Sequence, residues 1–155
     1  MTDMEIRIVN AEKSDLKDCH HCLNSLAEYE NMSDSFTLTE EKLGEILFEE
    51  KILNALIAKN ESETVGLLTY YFSVSTFSGK KILYIEDIFT FEKFRGQGIG
   101  KQFFDKAREM AKENDCCWIE WKCLDWNKNS IEFYKKQGGR PVEEWITFSI
   151  SEHNF

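Results

Sequence analysis

The sequence predicts a single α/β domain, of the α+β kind, whose central sheet is mixed and mostly antiparallel and carries helices on both faces. The 155 residues suit one domain that spans 1–155. Strand-like and helix-like segments follow one another in the order β-α-α-β-β-β-α-β-α-β. Strands joined by short turns pair as antiparallel hairpins, whereas strands joined through a helix can pair in parallel. The sheet is therefore expected to turn parallel around its central strand.

The first half of the chain contains two predicted helices and three predicted strands. They are a strand at residues 5–9, helices at 11–30 and 39–48, and strands at 54–59 and 64–75. Apolar residues alternate in the strands and recur every three or four residues in the helices. Thr39 is a candidate N-cap, because its hydroxyl can accept a hydrogen bond from a free backbone N–H. The last two strands are separated by residues of turn composition, which predicts a hairpin.

The second half contains the central strand, two helices and two further strands. They are a strand at residues 82–91, helices at 99–114 and 129–137, and strands at 117–123 and 144–150. Glu86 and Asp87 are neighbours in the central strand, so alternation is expected to point their side chains to opposite faces of the sheet. Gly138 and Gly139 suit the end of the last helix.

Six residues between the central strand and the next helix form a candidate anion-binding loop. Their sequence is Arg95-Gly96-Gln97-Gly98-Ile99-Gly100. At a helix N-terminus several backbone N–H groups lack an intrahelical partner, and the helix dipole leaves partial positive charge. Glycine lets the backbone approach a phosphate closely. The spacing fits neither the P-loop nor the dinucleotide-binding pattern, and a glycine-rich turn without a ligand is the alternative interpretation.

The same six residues match the pyrophosphate loop of the GNAT N-acetyltransferase superfamily, which holds the pyrophosphate of acetyl-CoA. The resemblance covers nearly the whole chain, including the order of elements, Leu124-Asp125-Trp126-Asn127 and Phe133-Tyr134. Three further segments resemble more narrowly the diamine acetyltransferase branch, which includes polyamine and thialysine enzymes. These segments are Tyr29-Glu30, Tyr70-Tyr71-Phe72 and Tyr84-Ile85-Glu86-Asp87-Ile88.

The resemblance implies the acyl-CoA N-acyltransferase (GNAT) fold and an enzyme that moves the acetyl group of acetyl-CoA, its co-substrate, to a primary amine. The expected acceptor is a small cation, either a diamine or polyamine or a thialysine-like amino acid, which attacks the thioester directly in a ternary complex. Two alternatives stay open, because one fold serves many functions. They are an enzyme of the same fold acting on protein N-termini or lysines, and a non-catalytic acyl-CoA-binding module.

The chemistry needs a route for the proton of the amine and an acid for the departing thiolate. The resemblance implies that Tyr134 is the general acid and that Glu86 handles the proton of the amine through water. The alternatives are a packed aromatic side chain for Tyr134 and a solvated strand acid for Glu86.

The resemblance also implies two sets of binding residues. The acetyl-CoA set is Ile88, Phe89 and Thr90 through main-chain groups, then Arg95, Gly96, Gln97, Gly98, Ile99, Gly100 and Lys101, and Asn127, Lys128, Asn129 and Ser130. The amine set is Tyr29, Glu30, Glu86, Asp87, Glu120, Trp121, Glu144 and Trp145. Its carboxylates would hold a di- or polyamine by charge-assisted hydrogen bonds. Two departures concern this set: the segment from Gly138 to Trp145 is shorter than in the polyamine enzymes, and Phe77 stands where relatives often carry Trp.

Net charge and hydropathy limit the classes of binding partner and the cellular compartment that we expect. The net charge of -9 argues against nucleic acid or an anionic membrane as a partner. No apolar run reaches membrane-spanning length, and the first seven residues lack the apolar core of a signal peptide, so a cytoplasmic location is expected. The resemblance implies a homodimer, for which the apolar alternation at 145–150 offers a sheet edge.

The five cysteines are predicted to be free and mostly buried thiols. Cys19-His20-His21-Cys22 has metal-like spacing, but no second pair completes a tetrahedral set unless Cys116 or Cys123 folds nearby. No metal is therefore expected, and the two histidines are predicted to lie at the surface.

Overall fold

The structure, a computed structural model, describes residues 5–155. Residues 1–4, on which the prediction about a signal peptide partly rests, lie outside this range. The chain divides after Lys122 into two compact units, the second of which is Cys123–Phe155. The elements are β1 Arg7–Asn10, α1 Leu16–Tyr29, α2 Glu40–Gly44, β2 Asn54–Lys59, β3 Thr64–Ser75, β4 Lys80–Thr90, α3 Ile99–Glu113, β5 Trp118–Trp121 and α4 Lys128–Lys136.

Within the described residues, the first unit contains one sheet of five strands in the order β1-β2-β3-β4-β5. The pairs from β1 to β4 are antiparallel, and β4 pairs with β5 in parallel. The long α3 connects β4 to β5, as a parallel pair requires. The predicted fold class, a mixed and mostly antiparallel sheet that turns parallel around its central strand, is confirmed.

Two predicted helix boundaries are confirmed by their capping contacts. The Thr39 hydroxyl accepts a hydrogen bond from Lys42 N–H at 3.1 Å, so it caps α2. Asn114 follows the last residue of α3 and donates its own N–H to Met110 C=O at 3.0 Å. The second helix is shorter than predicted, because regular α-helix ends at Gly44 and continues as a π turn over Glu45–Glu49.

The predicted strand at residues 144–150 is wrong, because these residues have no regular secondary structure. The apolar residues that suggested it are exposed instead: Trp145 at 79%, Ile146 at 78%, Phe148 at 88% and Ile150 at 74%. Alternation identifies residues that could form a half-buried strand, but a strand also needs a neighbour to satisfy its backbone hydrogen bonds. The sequence pattern does not specify that neighbour.

The helices of the first unit cover both faces of the sheet. Leu67 on β3 packs in a buried cluster with residues of α1 and α2, such as Leu23 and Leu43. Its neighbour Gly66 lies against Phe103 of α3. Because adjacent strand residues point to opposite faces, α1 and α2 cover one face, here called the α1 face, and α3 covers the other, the α3 face.

Gly66 marks the closest approach between the sheet and α3. A Cβ built at this position would lie 2.7 Å from Phe89 C=O and 3.2 Å from a ring carbon of Phe103. Both neighbours are held by buried structure, so we expect Gly66→Ala to lower the free energy of unfolding by about 1–3 kcal/mol. Urea unfolding measures this change. Ser73→Ala on the same strand is the control, and equal stability of the two variants would contradict the packing described here.

Candidate active site

The site begins where β4 extends beyond the end of its parallel neighbour β5. The two strands pair from Ile82 opposite Trp118 to Ile85 opposite Trp121, and β4 then continues to Thr90. In the part of the chain that the structure describes, no strand pairs with β4 on that side beyond Ile85. Residues 86–90 therefore present a strand edge to which another extended group can add. We call it the open edge.

The hydrogen-bond pattern shows which main-chain groups face the open edge. Phe91 N–H donates to Val65 C=O at 3.1 Å, so these two residues bond directly across the ladder. Bonded and non-bonded pairs alternate in antiparallel strands, so the next pair, Gly66 opposite Thr90, turns its main-chain groups outward. By the same alternation the N–H and C=O groups of Ile88 and Thr90 point to the open edge. Those of Phe89 point to β3.

A β-bulge in β4 brings the two predicted acids to one face of the sheet. Asp87 pairs with Thr69, but the next partners are Ile85 and Tyr70, so Glu86 is an extra residue without an opposite neighbour. Tyr84, opposite Tyr71, shares the face of Thr69 and Asp87, because Thr69 and Tyr71 are two residues apart on β3.

Glu86 is two residues from Tyr84 and lies on that face as well. Within this face the rings of Tyr71 and Tyr84 are 5.0 Å apart, and the Thr69 hydroxyl donates to an Asp87 carboxylate oxygen at 2.5 Å. The expectation that Glu86 and Asp87 point to opposite faces is therefore wrong. A bulge shifts the alternation of side-chain direction by one residue. No feature of the local sequence predicted this bulge.

The β5 residues of the predicted amine set lie on different faces. Glu120 is the register partner of Tyr84, so its side chain shares the acid-bearing α1 face. Its neighbour Trp121 points to the α3 face, where its ring packs 5.0 Å from the ring of Phe104. Glu120 thus lies on the same face as Glu86 and Asp87, whereas Trp121 packs between the sheet and α3.

Burial and like charges govern the ionisation of the acids. The pKa of Asp87 is raised to about 6, mainly by burial; the hydrogen bond from the Thr69 hydroxyl lowers this pKa, and the charges of Glu86 and Glu30 raise it. Burial also raises the pKa of Glu30. Carboxylates in such surroundings favour a nearby cation, and one with a pKa near 6 can hold a proton for part of a reaction near neutral pH.

The glycine-rich loop forms the N-terminus of α3. Gly98 is the N-cap with φ +81°, and Gly96 has φ +76°, both in the left-handed region that other residues resist. The first bond of the helix runs from Gln102 N–H to Gly98 C=O at 3.0 Å. The N–H groups at the start of this 15-residue helix have no preceding turn to bond to, so they can bind an anion.

Arg95 ties this loop to the open edge and to the end of α1. Its Nε donates to Thr90 C=O at 2.9 Å, which uses one of five guanidinium donors. Its Cζ lies 4.7 Å from the ring centroid of Tyr29 and 5.8 Å from that of Phe89. Tyr29, predicted to contact the amine, is therefore placed beneath Arg95. Lys101 forms an ion pair with Asp105 at 2.7 Å.

The remaining predicted site residues belong to the second unit. Asn127 caps α4 by accepting a hydrogen bond from Ser130 N–H at 3.3 Å, so Lys128 and Asn129 form the first turn of this helix. The ring of Tyr134 lies 5.6 Å from that of Phe133.

Also in the second unit, Glu144 is exposed and pairs with Arg140 at 3.5 Å. The exposed Trp145 follows it in the chain.

The cysteine and histidine segment has a structural role. Cys19 and Cys22 are buried in the core, and burial raises the pKa of both thiols to about 12, so they remain neutral. His21 is exposed, as predicted, whereas His20 is half-buried and its Nε2 lies 2.6 Å from Leu38 C=O. Among the described residues, no group of three or more His, Cys, Asp or Glu side chains could hold a metal ion. None of the five cysteines forms a disulfide, as predicted, but only Cys19 and Cys22 are buried, so the prediction of mostly buried thiols is wrong.

Thr69 is the site residue that the sequence did not reveal. It is 1% exposed and contacts Asp87 directly. A threonine between Leu68 and Tyr70 was the only signal, and its partner depends on the register across the bulge.

None of the described helices has both the length and the apolar character needed to cross a membrane.

Known proteins resemble this chain in sequence and in fold. The model of the acetyltransferase (GNAT) family matches residues 17–139. Thialysine N-epsilon-acetyltransferase of Mus musculus is 35% identical over 154 residues, covering 92% of this chain and 90% of that protein. Spermidine/spermine N(1)-acetyltransferase-like protein 1 of Homo sapiens is 30% identical over 94% of this chain and 22% of its own length.

A solved structure shows the same fold. An integron cassette protein from the mobile metagenome of V. cholerae superposes with a TM-score of 0.82 at 20% identity, covering 97% of this chain and 95% of that chain. At this identity the likeness concerns the fold alone.

The raised pKa of Asp87 predicts a cost to stability at neutral and alkaline pH. Its folded value of about 6 lies above the ordinary 3.8, so the folded state binds the proton more tightly and loses stability as pH rises from about 4 to above 6. Asp87→Asn removes the buried charge and should raise the free energy of unfolding at pH 8, by on the order of 2 kcal/mol. The variant and the wild type should converge near pH 3.

Urea unfolding at pH 8, 6 and 3 measures this difference. The control is Glu86→Gln, which removes a neighbouring but exposed carboxylate and should change stability little. An Asp87→Asn variant that is no more stable than the wild type at pH 8 would contradict the buried charge.

Proposed function

The chain belongs to the acetyltransferase (GNAT) family, and from this premise we propose that it transfers the acetyl group of acetyl-CoA to the primary amine of a small cationic acceptor. The acceptor class is a diamine, a polyamine or a thialysine-like amino acid. The observation that carries this function is the open edge of β4, with an anion-binding helix N-terminus after it and four carboxylates near its start. Both substrates bind together, and the amine attacks the thioester directly.

Acetyl-CoA suits the open edge by its shape and charge. The amide groups of an extended pantetheine arm can pair with the main-chain groups of Ile88 and Thr90, as an added strand would. The pyrophosphate suits the N–H groups at the start of α3, with Arg95 as the nearby cation. The proposed roles of Asn127, Lys128, Asn129 and Ser130 in holding CoA rest on the resemblance alone.

The amine site takes its selectivity from charge. Glu86, Asp87 and Glu120 share one face, and Glu30 at the end of α1 acts on the pKa of Asp87. Four carboxylates grouped in this way favour an acceptor with more than one positive charge. Glu144 and Trp145 remain proposed amine contacts from the resemblance.

The reaction removes two protons from the amine nitrogen and adds one to the thiolate of CoA. A primary ammonium with a pKa near 10 must lose a proton before its nitrogen attacks the thioester carbonyl. Glu86 is exposed and offers a route for this proton to water. The C–N bond forms as the C–S bond breaks, and the thiolate of CoA takes a proton from the Tyr134 hydroxyl. The nitrogen, now bonded to the acetyl carbon, loses a second proton, which returns to the Tyr134 phenolate. The products are the N-acetylated amine, CoA as free thiol, and one proton released to water.

A thiol-release assay with acetyl-CoA and a panel of spermidine, putrescine and thialysine tests this function. We expect release of CoA with at least one amine and a fall in kcat of about 10²- to 10³-fold in Tyr134→Phe, because the variant lacks the acid. The KM for acetyl-CoA should change little. Tyr70→Phe is the matched control, since Tyr70 faces α3 rather than the acids.

Two outcomes would overturn the acceptor class. Release of CoA only with peptides would assign protein N-termini or lysines as the acceptors. Binding of CoA without turnover for any amine or peptide would assign a non-catalytic acyl-CoA-binding role.

The assembly that we propose is a homodimer, and the compartment is the cytoplasm. The support for a dimer is a run of exposed apolar side chains near the end of the chain, including Ile146, Phe148 and Ile150. Such a run is costly in water unless another surface covers it. Free cysteines suit a reducing compartment, and the net charge of -9 disfavours nucleic acid and anionic membranes.

Light scattering coupled to size-exclusion chromatography tests the dimer. We expect twice the chain mass of 18.2 kDa for the wild type and a shift towards the monomer in Phe148→Glu, which places a charge in the proposed interface. Ile52→Ser, at an exposed position between α2 and β2, is the control and should remain dimeric. A monomeric wild type at working concentration would contradict the proposed assembly.

A further inference from the structure

We infer that Thr69 is a positioning residue of the amine site: its buried hydroxyl fixes the Asp87 carboxylate beside Glu86, so that Asp87 receives the proton of the attacking amine. This role presupposes the acetyl transfer proposed above. It gives Asp87 a part in the proton transfer, and it gives Glu86 the task of passing the proton on to water.

The contact itself is specific. Thr69 is 1% exposed, so its hydroxyl must find its partner inside the protein, and it donates to Asp87 Oδ2 at 2.5 Å. The two residues are direct register partners on the last pair before the bulge. The bond therefore fixes Asp87 at the position where the ladder changes its alternation and where Glu86 joins the same face.

Fixed geometry distinguishes Asp87 from Glu86. The Asp87 side chain is partly buried and is held by a neighbour, whereas Glu86 is exposed at the extra residue of the bulge. A base acts best when it is held within hydrogen-bond reach of the proton that it takes. Glu86, next along the chain and open to solvent, is suited to exchange that proton with water.

Asp87 takes one proton from the ammonium group of the acceptor. An N–H bond of the ammonium breaks, the electron pair stays on nitrogen, and the proton joins the Asp87 carboxylate to give a carboxylic acid. The neutral amine then forms the new C–N bond. After the products leave, the proton passes through Glu86 to water, and Asp87 returns to its ionised form.

The surroundings of Asp87 contain acids and phenols. Glu86 and Tyr84 face it from β4, Tyr71 and Glu120 lie on the same face from β3 and β5, and Glu30 reaches it from the end of α1. Burial and these charges disfavour the ionised carboxylate. The Thr69 hydroxyl bond is the contact that favours it, and it lowers the pKa of Asp87.

The pH profile of kcat/KM for the amine tests this role through Thr69→Val, which keeps the shape of the side chain and removes the hydroxyl. The pKa of Asp87 should rise in the variant, and the acid limb of the profile should shift upward by about one pH unit. The loss of kcat/KM should be about five- to tenfold larger at pH 6 than at pH 9. Thr69→Ser keeps the donor and should restore the position of the limb.

A matched control lies on the same strand. The Thr64 hydroxyl donates to an Asp18 carboxylate oxygen at 3.0 Å and is 8% exposed, so Thr64→Val removes a comparable bond far along β3 from the acids. This variant should leave the acid limb in place. A shift of the limb in Thr64→Val as large as that in Thr69→Val would overturn the assigned role, as would an equal loss at all pH values in Thr69→Val.

A second measurement separates this inference from the proposed function. Carboxyl carbon NMR, with the Asp87 signal assigned by its loss in Asp87→Asn, follows the titration without any turnover. The pKa of Asp87 should be higher in Thr69→Val than in the wild type and lower in Glu86→Gln. An unchanged titration in folded Thr69→Val overturns the inference even in an active enzyme. A shifted titration in a protein that acetylates no amine overturns the catalytic role alone.

Discussion

The parting of β4 from β5 after Ile85 is the constraint on which the rest of the site depends. Up to that residue β4 is paired with β5, and over the next five residues alternate main-chain groups of β4, at Ile88 and Thr90, face outward. An unpaired stretch of strand inside a sheet is costly, because its backbone groups need partners. The Arg95 side chain satisfies the Thr90 carbonyl, and an extended co-substrate is suited to the rest.

A second irregularity, the bulge at Glu86, creates the amine site beside that edge. In a regular strand Glu86 and Asp87 would lie on opposite faces of the sheet, and one of the two carboxylates would point to the α3 face. The extra residue places both on the α1 face with Glu120 and Tyr84. Bulges bend a strand and change its side-chain direction where a function needs it. Here the same short segment supplies main-chain groups on its edge and carboxylates on its face.

Local patterns predicted the parts of the fold that depend on one segment at a time. A few adjacent residues determine each of three features: the apolar spacing of α3, its end at Asn114 and the Thr39 cap. The register between β3 and β4 is not, since a slip of one residue reverses the face of every side chain. For this reason the sequence-based prediction placed Asp87 and Glu86 on opposite faces. The predicted strand at residues 144–150 is wrong for a related reason, because these residues pair with none of the described strands.

Hydrogen exchange of backbone amides with and without CoA shows whether the co-substrate adds to the open edge of β4. If the pantetheine arm adds to the open edge and the pyrophosphate binds at the start of α3, exchange should slow at Ile88 and Thr90 and at the first N–H groups of α3. Phe89, whose main-chain groups face β3, should change little. Tight binding of CoA with no slowing at Ile88, Thr90 or the helix N-terminus would contradict the account.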